Sequence, residues 1–199
     1  MPITELPPSP GSSVRTIELV VDCAPLLQRF FDANSDYFVI VNGEPAASTE
    51  AHEEIHGELP AGWSFSKRWL IGYVDADGAL VAMANVVSDL LAPGVWHVGS
   101  FMVAATQHGT GLAQTLHRGL ESWALANGAH WLRLGVLQGN ARAERFWQSQ
   151  GYVETRIREG VAMGKRVNTL RVMVKPLNGS TLPQYLALIE RDRPEPSAG

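Results

Sequence analysis

The apolar positions of this chain change rhythm several times. Val14 to Val21 reads as a strand, and Ala24 to Asn34 then sets Leu26, Leu27, Phe30 and Phe31 on one side of a helix. A short apolar run, Tyr37 to Val41, ends at the turn signal Asn42-Gly43. Ser48 to Leu59 is a polar helical segment stopped by Pro60-Ala61-Gly62. Trp69 to Val74 and Leu80 to Val87 flank Asp75-Ala76-Asp77-Gly78, which predicts a hairpin. A further strand, Trp96 to Val103, is entered from Pro93-Gly94.

The strongest helical pattern follows. Leu112, Leu116, Leu120, Trp123 and Ala124 make one buried stripe, and Asn127-Gly128 supplies its stop. Trp131 to Leu137 alternates as a strand. Ala141 to Gln150 is a short helix capped by Asn140 and stopped by Gly151. Tyr152 to Arg158 and Leu170 to Leu177 are two last strands around a glycine-bearing connection, and Leu182 to Glu190 a short closing helix. Mixed strands and helices, with an antiparallel meander in the middle, predict an α+β fold.

At 199 residues the chain is long enough to bury one sizeable core. We expect one domain over residues 14–190, with a Pro/Ser-rich flexible lead at 1–13 and a flexible tail at 191–199. No apolar run approaches the ~18 residues of a membrane span, and the lead lacks the layout of a signal peptide. Cys23 is the only cysteine, which points to a small apolar residue in a reducing, cytoplasmic setting. A net charge of −4 argues against nucleic acid as a partner. Its distribution is uneven: residues 1–60 hold ten acids against two bases, the remainder ten against fourteen. An anionic front and cationic back would suit a cationic substrate and an anionic cofactor. Two unrelated solvated faces would give the same numbers.

The segment His108-Gly109-Thr110-Gly111 joins a strand to the best helix. Leu112 excludes a Walker loop, which needs Lys-Ser/Thr after its glycine. Gln114 stands where a dinucleotide fingerprint needs a third glycine or alanine, which counts against a nicotinamide-dependent oxidoreductase. What remains is an anion cradle of backbone N–H groups at a helix N-terminus, or a turn whose glycines serve geometry alone. The histidines and carboxylates show no metal-ligand spacing.

From Trp131 the chain reads WLRLGVLQGNARAERFWQSQGY. Taken with the glycine turn, it resembles the GCN5-related N-acetyltransferase (GNAT) superfamily. The family's acyl-CoA loop, Arg/Gln-x-x-Gly-x-Gly/Ala, is matched by His108, Gly109, Thr110, Gly111, Leu112 and Ala113. Its second signature, Asn-x-x-Ala-x-x-Phe-Tyr before Gly-Phe/Tyr, is matched by Asn140, Ala143, Phe146, Trp147 and Gly151-Tyr152. The resemblance spans residues 14–177 in element order and is specific from Trp96 to Tyr152. Two departures stand out. His108 occupies the Arg/Gln position, where it could still donate to a phosphate. Trp147 replaces the tyrosine that protonates the leaving thiolate, and an indole N–H is far too weak an acid for that.

The resemblance implies a mostly antiparallel sheet, splayed between the strands around Met102 and Leu134. It implies acetyl-CoA as cosubstrate, without metal, lying against Phe101, Met102, Val103, the residue 108–113 loop and the Asn140 helix. Asn140 would both cap its helix and bond the cofactor arm, and a backbone N–H near Val103 would hold the oxyanion. Arg142 and Arg145 could meet the 3′-phosphate, or simply be solvated. As general base His97 comes first, because it titrates near neutrality on the strand leading to the loop. Glu53 and Glu54 are alternatives, although a satisfied strand histidine and a solvated helix face explain these residues equally well. For the acid, Tyr152 reads as core and Ser149 as a weak candidate. The expected reaction is acetyl transfer to a primary amine of a small molecule or peptide, cationic if the acidic front half matters. An acyl-CoA-binding module without catalysis is the alternative. A homodimer is compatible with either, and no membrane partner is expected.

Overall fold

Strands β2 (Lys67–Asp75) and β3 (Leu80–Ser88) are buried along almost their whole length, on both faces. That is why they read as apolar runs rather than clean alternations: each face of the sheet carries helices. The computed structural model describes residues 6–11 and 13–195. Its sheet has seven strands in the order β1-β2-β3-β4-β5-β7-β6, with β1 at Val14–Glu18, β4 at Val95–Val103, β5 at Trp131–Leu137, β6 at Val153–Met163 and β7 at Arg166–Pro176. All pairs are antiparallel except β4 and β5. A parallel pair needs a crossover, and α4 (Leu112–Ala126) supplies it.

One face packs against α4 and α5 (Ala141–Ser149), centred on Trp69, Trp96 and Trp123, whose ring centroids lie 5.0–5.3 Å apart. Such aromatic pairs add roughly 0.5–1.5 kcal/mol each beyond the area they bury. The opposite face is shared. Over β1–β4, Leu27, Phe30 and Phe31 of α1 (Ala24–Ala33) meet Leu70, Met83 and Met102, with α3 (Glu50–His56) alongside. Over β5 and β7, Tyr185 of α6 (Leu182–Leu188) meets Val95, Trp131 and Val174.

Three expectations change. The apolar run at Tyr37–Val41 lies within α2, Ser35–Asn42, which buries Phe38 and leaves Tyr37, Val39 and Ile40 exposed. Gly43, at φ +83°, closes it with its N–H on Val39 O at 3.2 Å. The last two strands are longer than expected, because their added ends, Glu159–Met163 and Arg166–Thr169, contain Gly160 and show no regular apolar alternation. The extended hairpin reaches α2, where Lys165 N–H donates to Asn42 O (2.8 Å) and Asn168 Nδ2 to Val41 O (2.9 Å). The expected tail also fails to begin at Arg191. Asp192 is fully buried, in a 3₁₀ turn over Glu190–Asp192. At the other end, the expected lead falls partly on residues 1–5 and 12, which lie outside the described residues. Leu6 packs against the main core, and Pro7 is buried.

Candidate active site

The parallel pairing of β4 and β5 is short. It runs from Val95–Trp131 to Val98–Leu134 and stops, although β4 continues to Val103 and β5 to Leu137. The strands part where the resemblance places the splay. Just there β4 carries a bulge: Val98 faces Val86, but Ser100 faces Asn85, so Gly99 is the extra residue. The bulge shifts the alternation. Ser100 comes to the α3 face beside Met83, while Phe101 comes to the α5 face.

Beyond the bulge, Ala104 N–H donates to Val81 O at 2.8 Å. In an antiparallel pair, bonded residues alternate with residues whose N–H points away. The N–H groups of Phe101 and Val103 therefore point toward the opened interval. Two outward amides lining a gap are what a carbonyl oxygen acquiring negative charge requires.

After Val103 the chain makes a 3₁₀ turn over Ala105–Gln107 and enters the glycine loop. Gly109 (φ +82°) and Gly111 (φ +87°) are left-handed, and a Cβ at either would meet only open space. Gly111 is the N-cap of α4 and offers no side chain to its first turn. Thr110 Oγ1 accepts from Leu112 N–H at 3.3 Å. Among the described residues no acceptor meets the N–H groups of Gly109, Gly111, Ala113 and Gln114. An unfilled cradle with free donors at a helix N-terminus fits a pyrophosphate. His108 departs from its expected role. Its Nε2 lies 3.1 Å from Val103 O and its Nδ1 2.6 Å from Arg142 Nη1, and its backbone N–H donates to Ala105 O at 3.1 Å, so every donor of His108 is already engaged within the loop. The same contact brings Arg142 of α5 to the loop.

Asn140 caps α5, its Oδ1 accepting from Ala143 N–H at 3.2 Å. From that helix Phe146 stacks on Phe101, with centroids 6.1 Å apart and planes 11° off parallel. Trp147 is buried among Phe101, His117 and Tyr152 at 5.7, 5.4 and 5.2 Å. Tyr152 is committed to His117 Nε2 at 3.1 Å, and burial raises its pKa well above the ordinary range, so it is no ready acid. Ser149 does not join the site. It sits exposed at the far end of α5 and donates to Phe146 O at 2.7 Å.

On the α3 face one carboxylate stands apart. Glu54 accepts from Asn85 Nδ2 at 2.9 Å and Ser100 Oγ at 3.5 Å, with Arg68 Nη2 3.8 Å away. Arg68 fixes its place by donating to Glu54 O, Ile55 O and Gly57 O at the end of α3. Burial raises the Glu54 pKa, outweighing the Asn85 bond, the Arg68 charge and Ser100. Close by, Tyr37 is about a third exposed as a whole residue, but its hydroxyl end is enclosed, and that desolvation, then the charges of Glu54 and Glu50, push its pKa up to about 12. Glu53 instead accepts from Thr49 Oγ1 at 2.6 Å on the exposed surface.

His97 lies three residues before Ser100, roughly 10 Å along the strand at 3.3 Å per residue. Its Nδ1 is 3.1 Å from Arg133 O and 3.3 Å from Arg133 Nη1, and its ring meets Trp63 edge-on. Burial, then the Arg133 charge, lowers its pKa to about 3. The structure thus brings together the strand, the loop, the Asn140 helix and Glu54, and leaves His97 and Ser149 aside. Asn85, Ser100, Arg68 and Tyr37 escape a reading of the sequence. Their only hint is Gly99 inside a strand, a common mark of a bulge.

Among the described residues no group of three or more His, Cys, Asp or Glu side chains could hold a metal, and no helix is long and apolar enough to cross a membrane. No curated protein matches the chain. Several solved structures share its fold. An acetyltransferase from Thermus thermophilus is 19% identical, with a TM-score of 0.66 over 83% of this chain and 98% of that one. The ribosomal-protein-S18-alanine N-acetyltransferase of Escherichia coli is 15% identical, with a TM-score of 0.60 over 85% and 97%. Spermidine N-acetyltransferase from Vibrio cholerae, solved with CoA and spermine, is 16% identical, with a TM-score of 0.62 over 83% and 96%. The acetyltransferase (GNAT) family model matches residues 25–152, well over half of the sequence. With the splayed sheet and the glycine cradle in place, the chain belongs to the GNAT family of acyl-CoA-dependent acetyltransferases.

Proposed function

We propose that this protein moves the acetyl group of acetyl-CoA to a primary amine, with Glu54 as the base that takes the amine's proton. The observation that carries the reading is the position of Glu54, a carboxylate of raised pKa facing Ser100 where β4 and β5 part. Acetyl-CoA supplies an activated thioester. The free N–H groups at Gly109, Gly111, Ala113 and Gln114 suit its pyrophosphate, with Arg142 adding charge at the loop's edge. Asn140 Nδ2, not used in capping, is available to the cofactor arm. The N–H groups of Phe101 and Val103 polarise the reacting carbonyl. An attacking amine must be neutral, and a carboxylate raised by burial accepts its proton more readily than an exposed one does.

Glu50 and Glu54, close enough for their charges to act on the Tyr37 hydroxyl, give the α3 side of the gap an acidic lining, which supports a cationic acceptor. Spermine in one fold relative and a protein alanine in another are both amines, though neither identifies the acceptor here. Trp147, buried where relatives place an acid, keeps a second reading in view: acyl-CoA binding without transfer.

The test is amine-dependent release of free CoA by the wild type and by Glu54→Gln. We expect the variant to lose roughly 10²–10⁴-fold in kcat. Its affinity for acetyl-CoA should be unchanged, and the wild-type rise of rate with pH should be absent. A variant keeping a tenth or more of the rate removes Glu54 from the role. Stabilisation by acetyl-CoA with no turnover of any amine establishes the second reading.

A further inference from the structure

Four arginines gather on the sheet face that carries Glu54 and Ser100, at its opposite end. Arg133 comes from β5, Arg156 and Arg158 from β6, and Arg191 from the last 3₁₀ turn. Asp192 balances part of this charge. Its carboxylate receives Arg133 Nε at 2.6 Å, Arg158 Nη2 at 2.8 Å and the Tyr185 hydroxyl at 2.5 Å.

The balance is incomplete. Among the described residues no carboxylate lies within ion-pair distance of Arg191, whose guanidinium sits 4.4 Å from the Trp63 ring centroid. Burial, then the charges of Arg158 and Arg133, holds the Arg191 pKa below its ordinary value. The Nε atoms of Arg156 and Arg158 are buried without an acceptor. Arg156 Nη2 meets only Glu195, at 2.7 Å, and that residue is 71% exposed. These side chains line an open groove of about 800 Å³, with Glu159 and Glu195 beside them.

Strand register fixes the groove's distance from the gap. Arg156 stands opposite Val172, and Val172 opposite Gly135, the residue after the last β4–β5 pair. At ~4.8 Å per strand, β5 to β6 is roughly 10 Å, and the interval to β4, at least one further spacing, brings the span to at least about 14 Å. Arg133 and Arg191, both stacked on Trp63, lie between these ends beside His97.

We propose that this groove is a subsite for an anionic group of the acceptor, a carboxylate or phosphate carried at least about 14 Å from its reacting amine. The proposal rests on the amine-acetyltransferase reading above. Glu195 now occupies part of the subsite, as a competitor from the chain's own end.

The experiment has two parts. First, inorganic phosphate and glutarate are titrated at constant ionic strength, with acetyl-CoA saturating so that the glycine loop is occupied, and Tm is followed. At least one anion should raise the Tm of the wild type, and which one does identifies the group. Glu195→Gln should tighten the response severalfold, and Arg191→Gln, which breaks no ion pair, should abolish it. Absence of any shift, or an equal shift in Arg191→Gln, overturns the subsite. Second, free peptides four residues long and their C-terminal amides, with matching ω-amino phosphates and alcohols, are compared as acceptors. The acidic member of a pair should have the lower KM, by about tenfold, and should lose that advantage in Arg191→Gln. Anion binding without a KM advantage refutes the acceptor role. Anion binding with no amine turned over separates failure of the transfer reading from failure of the anion site.

Discussion

Replacing Asp192 by Asn removes one charge from the most enclosed polar cluster of the molecule. Asp192 is fully buried and Arg133 is 4% exposed, with Nε and Nη2 on its two oxygens at 2.6 and 3.2 Å. The fork is bidentate, and Arg158 and Tyr185 complete it. Asparagine keeps the shape but leaves the Arg133 charge buried and uncompensated, which costs about 3–5 kcal/mol. For a chain of this length that is a fall in Tm of about 6–20 °C. Truncation after Glu190, which removes Asp192 outright, should cost at least as much. The assay is urea unfolding followed by tryptophan fluorescence. A loss below about 1 kcal/mol for Asp192→Asn would refute the claim that the fold extends through residue 192. The cluster also sets a pH limit. Burial opposes ionisation of Asp192, but Arg133, then Tyr185 and Arg158, outweigh it and hold its pKa at about 2. Its stabilisation is therefore present above the ordinary carboxylate range and is lost as pH falls through about 2.

Two histidines should make the protein acid-sensitive well before that. Burial is the main cause that lowers His97 to about 3 and His117 to about 4, from 6.5. Between those values and pH 6.5 the unfolded chain binds protons that the folded chain does not, so stability falls as pH drops through this window. At pH 5 the loss is about 2 kcal/mol for each histidine, offset in part by Glu54, whose shift has the opposite effect. Urea midpoints at pH 8 and pH 5 that coincide would contradict the burial of both rings. Gly111→Ala places a Cβ in the open cradle at φ +87°, at a backbone cost of about 1–2 kcal/mol. It should weaken acetyl-CoA binding in calorimetry by more than it lowers the Tm of the free protein, and unchanged affinity counts against the phosphate role. Trp147→Tyr should keep or raise turnover while losing about 1–3 kcal/mol of stability to the smaller ring. A folded variant with little activity shows instead that the indole itself is needed.

The parts of this structure that were legible in advance share one property: their periodicity is written in apolar residues. The Leu112–Ala126 helix buries one regular stripe, while the Trp131–Leu137 strand and the strands flanking Asp75–Gly78 are buried at consecutive positions, and their boundaries follow. The glycine cradle and the Asn140 cap were legible because both depend on local backbone chemistry. Glu54 was legible only as one of two adjacent acids. What separates it from Glu53 is the bulge at Gly99, which turns Ser100 toward it from 46 residues away. His97 looked the better base because a histidine's ordinary pKa suits the task, yet Arg133 and burial remove that advantage. The buried Asp192 was out of reach for the same reason. Charged residues read as solvent-facing until the pairing of distant strands shows what surrounds them.

The most direct test of the central claim is a stoichiometric one. The full chain is incubated with acetyl-CoA and a panel of primary amines, and CoA release and the acetylated product are measured together, by thiol titration and mass spectrometry. The account predicts one acetylated amine for each CoA released, with both abolished together by Glu54→Gln. CoA release that is independent of the amine, or acetylation that survives Glu54→Gln undiminished, would contradict it.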